Sequence, residues 1–447
     1  MKTKILYSSG AFATTLSYQT FTAFVLFFYV DTLKLDPQLV GLGWAIYGLW
    51  NAVNDPLAGY LTDSTRTRWG RRLPYIAGGA VPLALAFALL WTPPFRVEHG
   101  EGWSLFAYFL TVILIFDTLW TLVALNYTAL FPEMFSNVHD RAHVSAWRQV
   151  FNVAGLLGAL GLSPLIHSTL GWPALGWLFA PLIAGVLFLS LTVSRERPEC
   201  RQETPLRLSA SLKATLVNRS FLAFIGTNLF IQVAFVMIPA MMPFFAKYVL
   251  RISDPWQVSV LMALPLLGIL PALPLWNRLT VRLDAASALG WALGAFALGL
   301  VPLFWVRDVV SSLLVMGFLG IGLAGLFMLP DLLIADVIDE DEVKTGVRRE
   351  GLYFGMNGFL IRFAFTLQGL ITGTVLSATG YQADTVEQTA EALWGLRVLI
   401  AGVPLGALGL SGLALRFYAL RGEHLNTMKE ALARLHAQKA ARLAQRQ

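Results

Sequence analysis

The segment WNAVNDPLAGYLTDSTRTRWGRRLPYI, residues 50–76, places Asn51, Asn54 and Asp55 in an apolar stretch and follows them with Arg66, Arg68, Arg71 and Arg72. Spaced i, i+3 and i+4, the two amides and the carboxylate share one helix face. Pro56 removes a backbone donor and frees a carbonyl one turn earlier. One carboxylate, two amide oxygens and a loosened carbonyl make an oxygen-rich nest, suited to a small hard cation or a proton. A second reading stays open on spacing alone: Asp55 pairs with an arginine only to hold helices together.

A charge in hydrocarbon costs at least about 2.5–3.5 kcal/mol, so the elements around it matter. The 447-residue chain is 56% hydrophobic and only 13% charged, against roughly 25% charge in soluble globular chains. Its apolar segments run near the ~20 residues that cross a bilayer. Twelve spans are expected, at 5–31, 38–61, 73–92, 103–131, 145–167, 173–193, 219–247, 256–276, 285–304, 309–333, 351–378 and 391–417. The fold class is an all-α membrane protein, with no cleavable signal peptide expected, because polar YSSG follows MKTK.

The polar stretch 194–218 divides the chain into six-span bundles at 1–193 and 219–417, with a basic amphipathic tail at 418–447. Leu425, Met428, Leu432 and Leu435 fall at helical spacing in that tail, which is expected along the inner membrane surface. Twenty-five of the thirty-three lysines and arginines lie on the cytoplasmic side if both termini are inside, which sets the orientation. The net charge of +6 therefore reports topology and contact with anionic lipid; nucleic acid is not an expected partner.

Other spans carry polar residues in register. The first offers Thr15, Tyr18, Gln19 and Thr22, a hydrogen-bonding stripe; the fifth has Arg148 and Asn152; the seventh has Asn228 and Gln232. Arg362 lies eleven residues into its span, about 16 Å deep, with Thr366 one turn on. Such stripes also serve as glue between helices. Enzyme chemistry has little support. His139 and His143 lack the glutamate of a metalloprotease motif, no phosphate-binding loop is present, and no metal site is expected. The acidic run DVIDEDE, 336–342, sits beside Lys344, Arg348 and Arg349 and reads as a solvated ion-pair network. Lone Cys200 excludes an internal disulfide.

Two long motifs carry a family likeness. NDPLAGYLTDSTRTRWGRRLPYI (54–76) resembles the loop between helices II and III of the glycoside–pentoside–hexuronide:cation symporters, the melibiose-permease-like branch of the major facilitator superfamily. ADVIDEDEVKTGVRREGLYFG (335–355) resembles that family's loop between helices X and XI. LNYTALFPEM (125–134) is similar to the end of helix IV, and GAFATTLSYQTFTAFVLFFYVDTLKL (10–35) to helix I. The two loops supply the candidate gating residues Asp63, Arg66, Arg68, Arg71, Arg72, Asp336, Asp339, Arg348 and Arg349.

The resemblance implies alternating access, with Asp55 and Asn54 at the family's helix-II cation site and Thr121 completing it. It places Arg148 in the substrate site and Arg362 where a lysine is usual. Asn51 stands where the family has a first helix-II aspartate. Thr15 and Ala124 replace sugar-binding aspartates of the melibiose-permease branch, and Thr128 falls at a sugar-stacking tryptophan.

A cavity that loses two acids and keeps two arginines favours an anionic solute, since an arginine fork holds a carboxylate by two hydrogen bonds. The expectation is a symporter, driven by sodium or proton, for a glycoside, hexuronide or similar small polar solute. Asp55, Asn51, Asn54 and Thr121 would hold the cation; Arg148, Arg362, Thr15, Tyr18, Gln19, Asn152, Asn228 and Gln232 would line the solute site. A monomer in the inner membrane is expected, with no cofactor beyond the transported cation. The alternatives are a lysolipid or amphiphile carrier and a non-transporting sensor.

Overall fold

A computed structural model describes residues 1–97, 100–135, 138–196, 218–346 and 349–444. Most of the expected linker 194–218, Cys200, Arg348 and the side chains of Asp63 and His139 lie outside the described residues. In chain order the long helices are α1 (Lys2–Thr32), α2 (Pro37–Ser64), α3 (Leu73–Leu90), α4 (Gly102–Met134), α5 (His143–Leu170) and α6 (Trp172–Leu191). They continue as α7 (Arg219–Val249), α8 (Pro255–Arg282), α9 (Ala285–Phe304), α10 (Val309–Thr345), α11 (Leu352–Ala378) and α12 (Ala390–Arg416). A further helix, α13 (Gly422–Ala444), forms the tail.

Among the described residues, eleven helices are long and apolar enough to cross a membrane. The twelfth, α2, falls short because it carries Asn51, Asn54 and Asp55. Its start is set locally: Asp36 caps it, accepting from the Gln38 and Leu39 amides at 2.7 and 3.3 Å, and Pro37 occupies the first turn. Pro56 is accommodated within the helix.

The ends of α1 and α7 reveal a repeat. Both finish in five-residue π-helical turns, Phe28–Thr32 and Phe245–Val249. Leu33 and Leu250 then bond back to Phe28 and Phe245, each at 3.0 Å. Lys34 and Arg251 follow with φ of 59° and 52°, before Pro37 and Pro255 open helices of 28 residues each. Geometry displays this repeat more clearly than FFYVDTLKL and FFAKYVLRI do as letters.

The chain forms two compact units. The first comprises Met1–Pro205, Val236–Ala263 and Phe365–Leu399. Within it, α1 is tied to α4 by a reciprocal pair: the Tyr7 hydroxyl donates to the Tyr127 carbonyl at 2.6 Å, and the Tyr127 hydroxyl donates to the Tyr7 carbonyl at 2.9 Å. At the end remote from the 65–72 loop, Asp31 is 1% exposed and gathers its partners from α7 and the loop after α11. It accepts from Lys247 at 2.7 Å, from the Tyr381 hydroxyl at 2.6 Å and from the Tyr248 hydroxyl. Burial, then the Asp31 charge, holds the Tyr381 phenol far above its ordinary range, so it stays a donor.

Helices α2 and α11 meet backbone to backbone in the same unit. A Cβ at Gly41 would lie 2.6 Å from the Gly369 carbonyl, and one at Gly373 would lie 2.7 Å from that of Pro37. Small residues permit this approach. Gly41→Val is expected to destabilise the unit by about 1–3 kcal/mol, read as a lower melting midpoint in detergent. An unchanged midpoint would show the crossing to be slack.

The second unit comprises Leu206–Phe235, Leu264–Ala364 and Ile400–Gln447. Here α7 and α12 join through Ser411, whose hydroxyl donates to the Thr227 carbonyl at 2.9 Å. Two expectations need correction. Helix α10 runs on to Thr345 and holds the acidic run inside it; Glu340, Asp341 and Glu342 are buried rather than solvated. The tail covers them: α13 packs on α10, burying Leu425 and Met428, with Lys429 3.8 Å from Asp336 and His436 3.2 Å from Glu342. The first half of its apolar stripe meets protein while Leu432 and Leu435 are half-buried, and Lys429 and His436 meet carboxylates of α10.

Candidate cation and solute site

The face read on α2 is turned inward. Asn51 is 0% and Asn54 3% exposed, and α4 supplies the groups opposite them. Asp117 and Thr121, four residues apart, share one face of α4. The Asn51 amide donates to Asp117 Oδ1 and, at 3.2 Å, to the Tyr47 hydroxyl. The Asn54 amide donates to Asp117 Oδ2 at 3.1 Å and to the Asp117 carbonyl at 3.2 Å. One turn on, Thr121 donates to Asp55 Oδ1 at 3.1 Å. All four predicted cation residues therefore stand together.

The sequence reading omits Asp117, which is wholly buried. It is a carboxylate in the middle of an apolar span with a polar side chain four residues away, Thr121, as Asp55 has Asn51. The Asn51 Oδ1 atom is buried without a hydrogen-bond donor. In a cluster with two carboxylates and a hydroxyl, such an oxygen fits a cation ligand.

The predicted solute residues of the first unit line α1 and α5. Thr15 donates to Asn152 Oδ1 at 2.9 Å. The Tyr18 ring stacks on Trp120 with centroids 4.3 Å apart, and its hydroxyl lies 3.2 Å from that of Tyr47. Trp120 is steered by its indole N–H, which donates to the Thr14 carbonyl at 3.0 Å. Gln19 is half-buried, and Thr22 bonds its own helix through the Tyr18 carbonyl at 3.0 Å.

Arg148 lies over the rings of Tyr127 and Phe131, at 5.3 and 5.0 Å, and reaches Thr128 only at 3.4 Å. No carboxylate pairs with it among the described residues, and its Nε has no acceptor. This half-buried guanidinium lies over two aromatic faces.

The remaining solute candidates belong to the second unit. Asn228 donates to Asn357 Oδ1 at 2.8 Å, and Gln232 is half-buried one turn along α7. Arg362 sits where α11 breaks between Ile361 and Phe363. Interrupted helices at mid-membrane recur at transporter binding sites.

The loop residues divide between the units. In the first, Arg71 and Arg72 are buried and both reach Glu133 Oε1 at 2.7 Å. The backbone amides of Arg71, Arg72 and Leu73 converge on the Glu196 carboxylate at 2.6–2.8 Å. Gly70, at φ +112°, leaves room there that any Cβ would take. Arg66 and Arg68 stay exposed. In the second unit, Arg349 makes a two-pronged pair with Asp341, and Asp339 is half-buried beside Asp336. Glu133 and Glu196 escape the sequence reading because their partners lie about 60 and 125 residues away.

Residues 6–422 match the family described as MFS/sugar transport protein. The isoprimeverose transporter of Lactiplantibacillus pentosus is 28% identical, over 92% of this chain and 87% of its own. The glucuronide carrier protein homolog of Escherichia coli (strain K12) is 27% identical, over 94% and 92%. The solved nucleoside transporter NupG superposes with a TM-score of 0.67 at 14% identity, covering 94% of this chain and all but 1% of that one; it speaks for the fold alone. With a buried polar cluster on α2 and α4, twelve long helices and this match across nearly its whole length, the chain belongs to the MFS/sugar transport family, as an integral-membrane secondary symporter of the glycoside–pentoside–hexuronide type.

Proposed function

We propose that the protein carries an anionic glycoside, of the hexuronide class, together with a cation bound at the α2–α4 cluster. The observation that carries this reading is a continuous polar chain. Tyr18, on the solute face of α1, meets Tyr47; Tyr47 meets Asn51; and Asn51 meets Asp117. A cation that rearranges the carboxylates is thereby felt three hydrogen bonds away at the aromatic ring where a sugar would stack, which is the differential contact that coupling requires. Arg148 supports the anionic class, because its fork lacks a carboxylate partner among the described residues. The name of the glucuronide carrier homolog agrees with that class.

The test is purified protein in liposomes under an imposed sodium or pH gradient, with a radiolabelled glucuronide, a neutral β-glucoside and a lysophospholipid as alternative cargoes. Gradient-driven glucuronide accumulation, above that of the neutral sugar, is expected. Lysophospholipid movement without sugar uptake, or no flux of any cargo, would replace this reading.

A further inference from the structure

The two carboxylates of the cluster stand on different helices. Asp55 belongs to α2 and bonds Thr121; Asp117 belongs to α4 and is held by Asn51 and Asn54. Their α4 anchor points are four residues, about 6 Å, apart. The two acids are thus held on neighbouring turns of one face of α4, where a single ion would be ligated from both helices. Between them, Asn51 donates through its amide nitrogen and leaves its oxygen, buried, without a donor.

We infer that Asp117 is the second charged ligand of the transported cation, taking from α4 the role an acid at position 51 would play from α2, and that this cation is sodium rather than a proton. The inference rests on the symport reading above. The choice of ion follows from counting oxygens. A proton can sit on a single carboxylate oxygen, and on Asp117 it would compete with amide donors already in place. Its O–H can meet one further oxygen at most. A sodium ion takes Asn51 Oδ1, both carboxylates and the Thr121 hydroxyl at once, the all-oxygen shell a hard cation favours. Asn51 then works in two directions: its nitrogen orients Asp117, and its oxygen ligates. An asparagine can do both, and an aspartate facing Asp117 could not without a third buried charge.

Melting midpoints of the purified full chain, in sodium chloride against choline chloride at equal ionic strength and across pH 5–8, test this. Binding to the folded state raises the midpoint without any need to know the solute. The wild-type protein is expected to be stabilised by sodium and not by choline. In Asp117→Asn the apparent sodium affinity should fall by about 100-fold or more. The exchange variant Asn51→Asp/Asp117→Asn, which returns the acid to α2 at unchanged net charge, should recover a sodium response. That recovery is something a purely structural Asp117 would not permit.

An undiminished sodium response in Asp117→Asn overturns the assignment, as does an exchange variant that folds and stays unresponsive. A wild-type protein answering to pH alone overturns sodium and leaves symport standing. One answering to neither overturns the coupling reading as well.

Discussion

Asp55→Asn is expected to abolish concentrative uptake while leaving exchange of solute across the membrane. On the proposed symport the carboxylate carries the charge that a cation neutralises in each cycle, and the amide is nearly its size. Thr121 can still donate to the amide oxygen, so local packing is kept. What vanishes is the differential affinity for a positive ion. One-to-one symport of a monovalent cation with a glucuronide anion moves no net charge, so the ion's concentration gradient sets the accumulation: a tenfold gradient is worth about 1.4 kcal/mol, or roughly tenfold accumulation. The variant should fall to a ratio of about one, with counterflow of labelled against unlabelled glucuronide retained. Accumulation at the wild-type ratio would remove Asp55 from coupling and return it to a structural role.

Arg148→Lys has the second-largest expected effect, and it should be selective. The guanidinium carbon lies over the rings of Tyr127 and Phe131, and on the proposed reading its fork takes the solute's carboxylate. Lysine retains the charge and loses the fork, the stacking and the fixed plane. A charge-assisted hydrogen bond is worth about 1.5–3 kcal/mol, so glucuronide affinity should drop by about 10- to 100-fold. Neutral glycosides should compete as well as before. Equal losses for both cargoes would mark Arg148 as a packing residue.

Much of the site was legible one helix at a time. A hydrocarbon slab demands long apolar helices, so the spans stand out as letters. Helical periodicity puts Asn51, Asn54 and Asp55 on one face, and the structure keeps them there. Periodicity is silent on which faces meet. Asp117 lies 66 residues from Asn51, and nothing local ties the two. Arg71 finds Glu133 in the same way, and Asp31 finds Lys247 across 216 residues.

By itself, the sequence determined the solvent this protein folds in, its helix count, its family and which polar groups ride together on a helix, because each follows from length, composition or spacing. Tertiary structure alone decided that Asp117 of α4 meets Asn51 and Asn54 of α2 and that the tail settles on the carboxylates of α10. The physical reason is that a buried charge must find its counterpart in space, and chain distance places no limit on where that counterpart comes from.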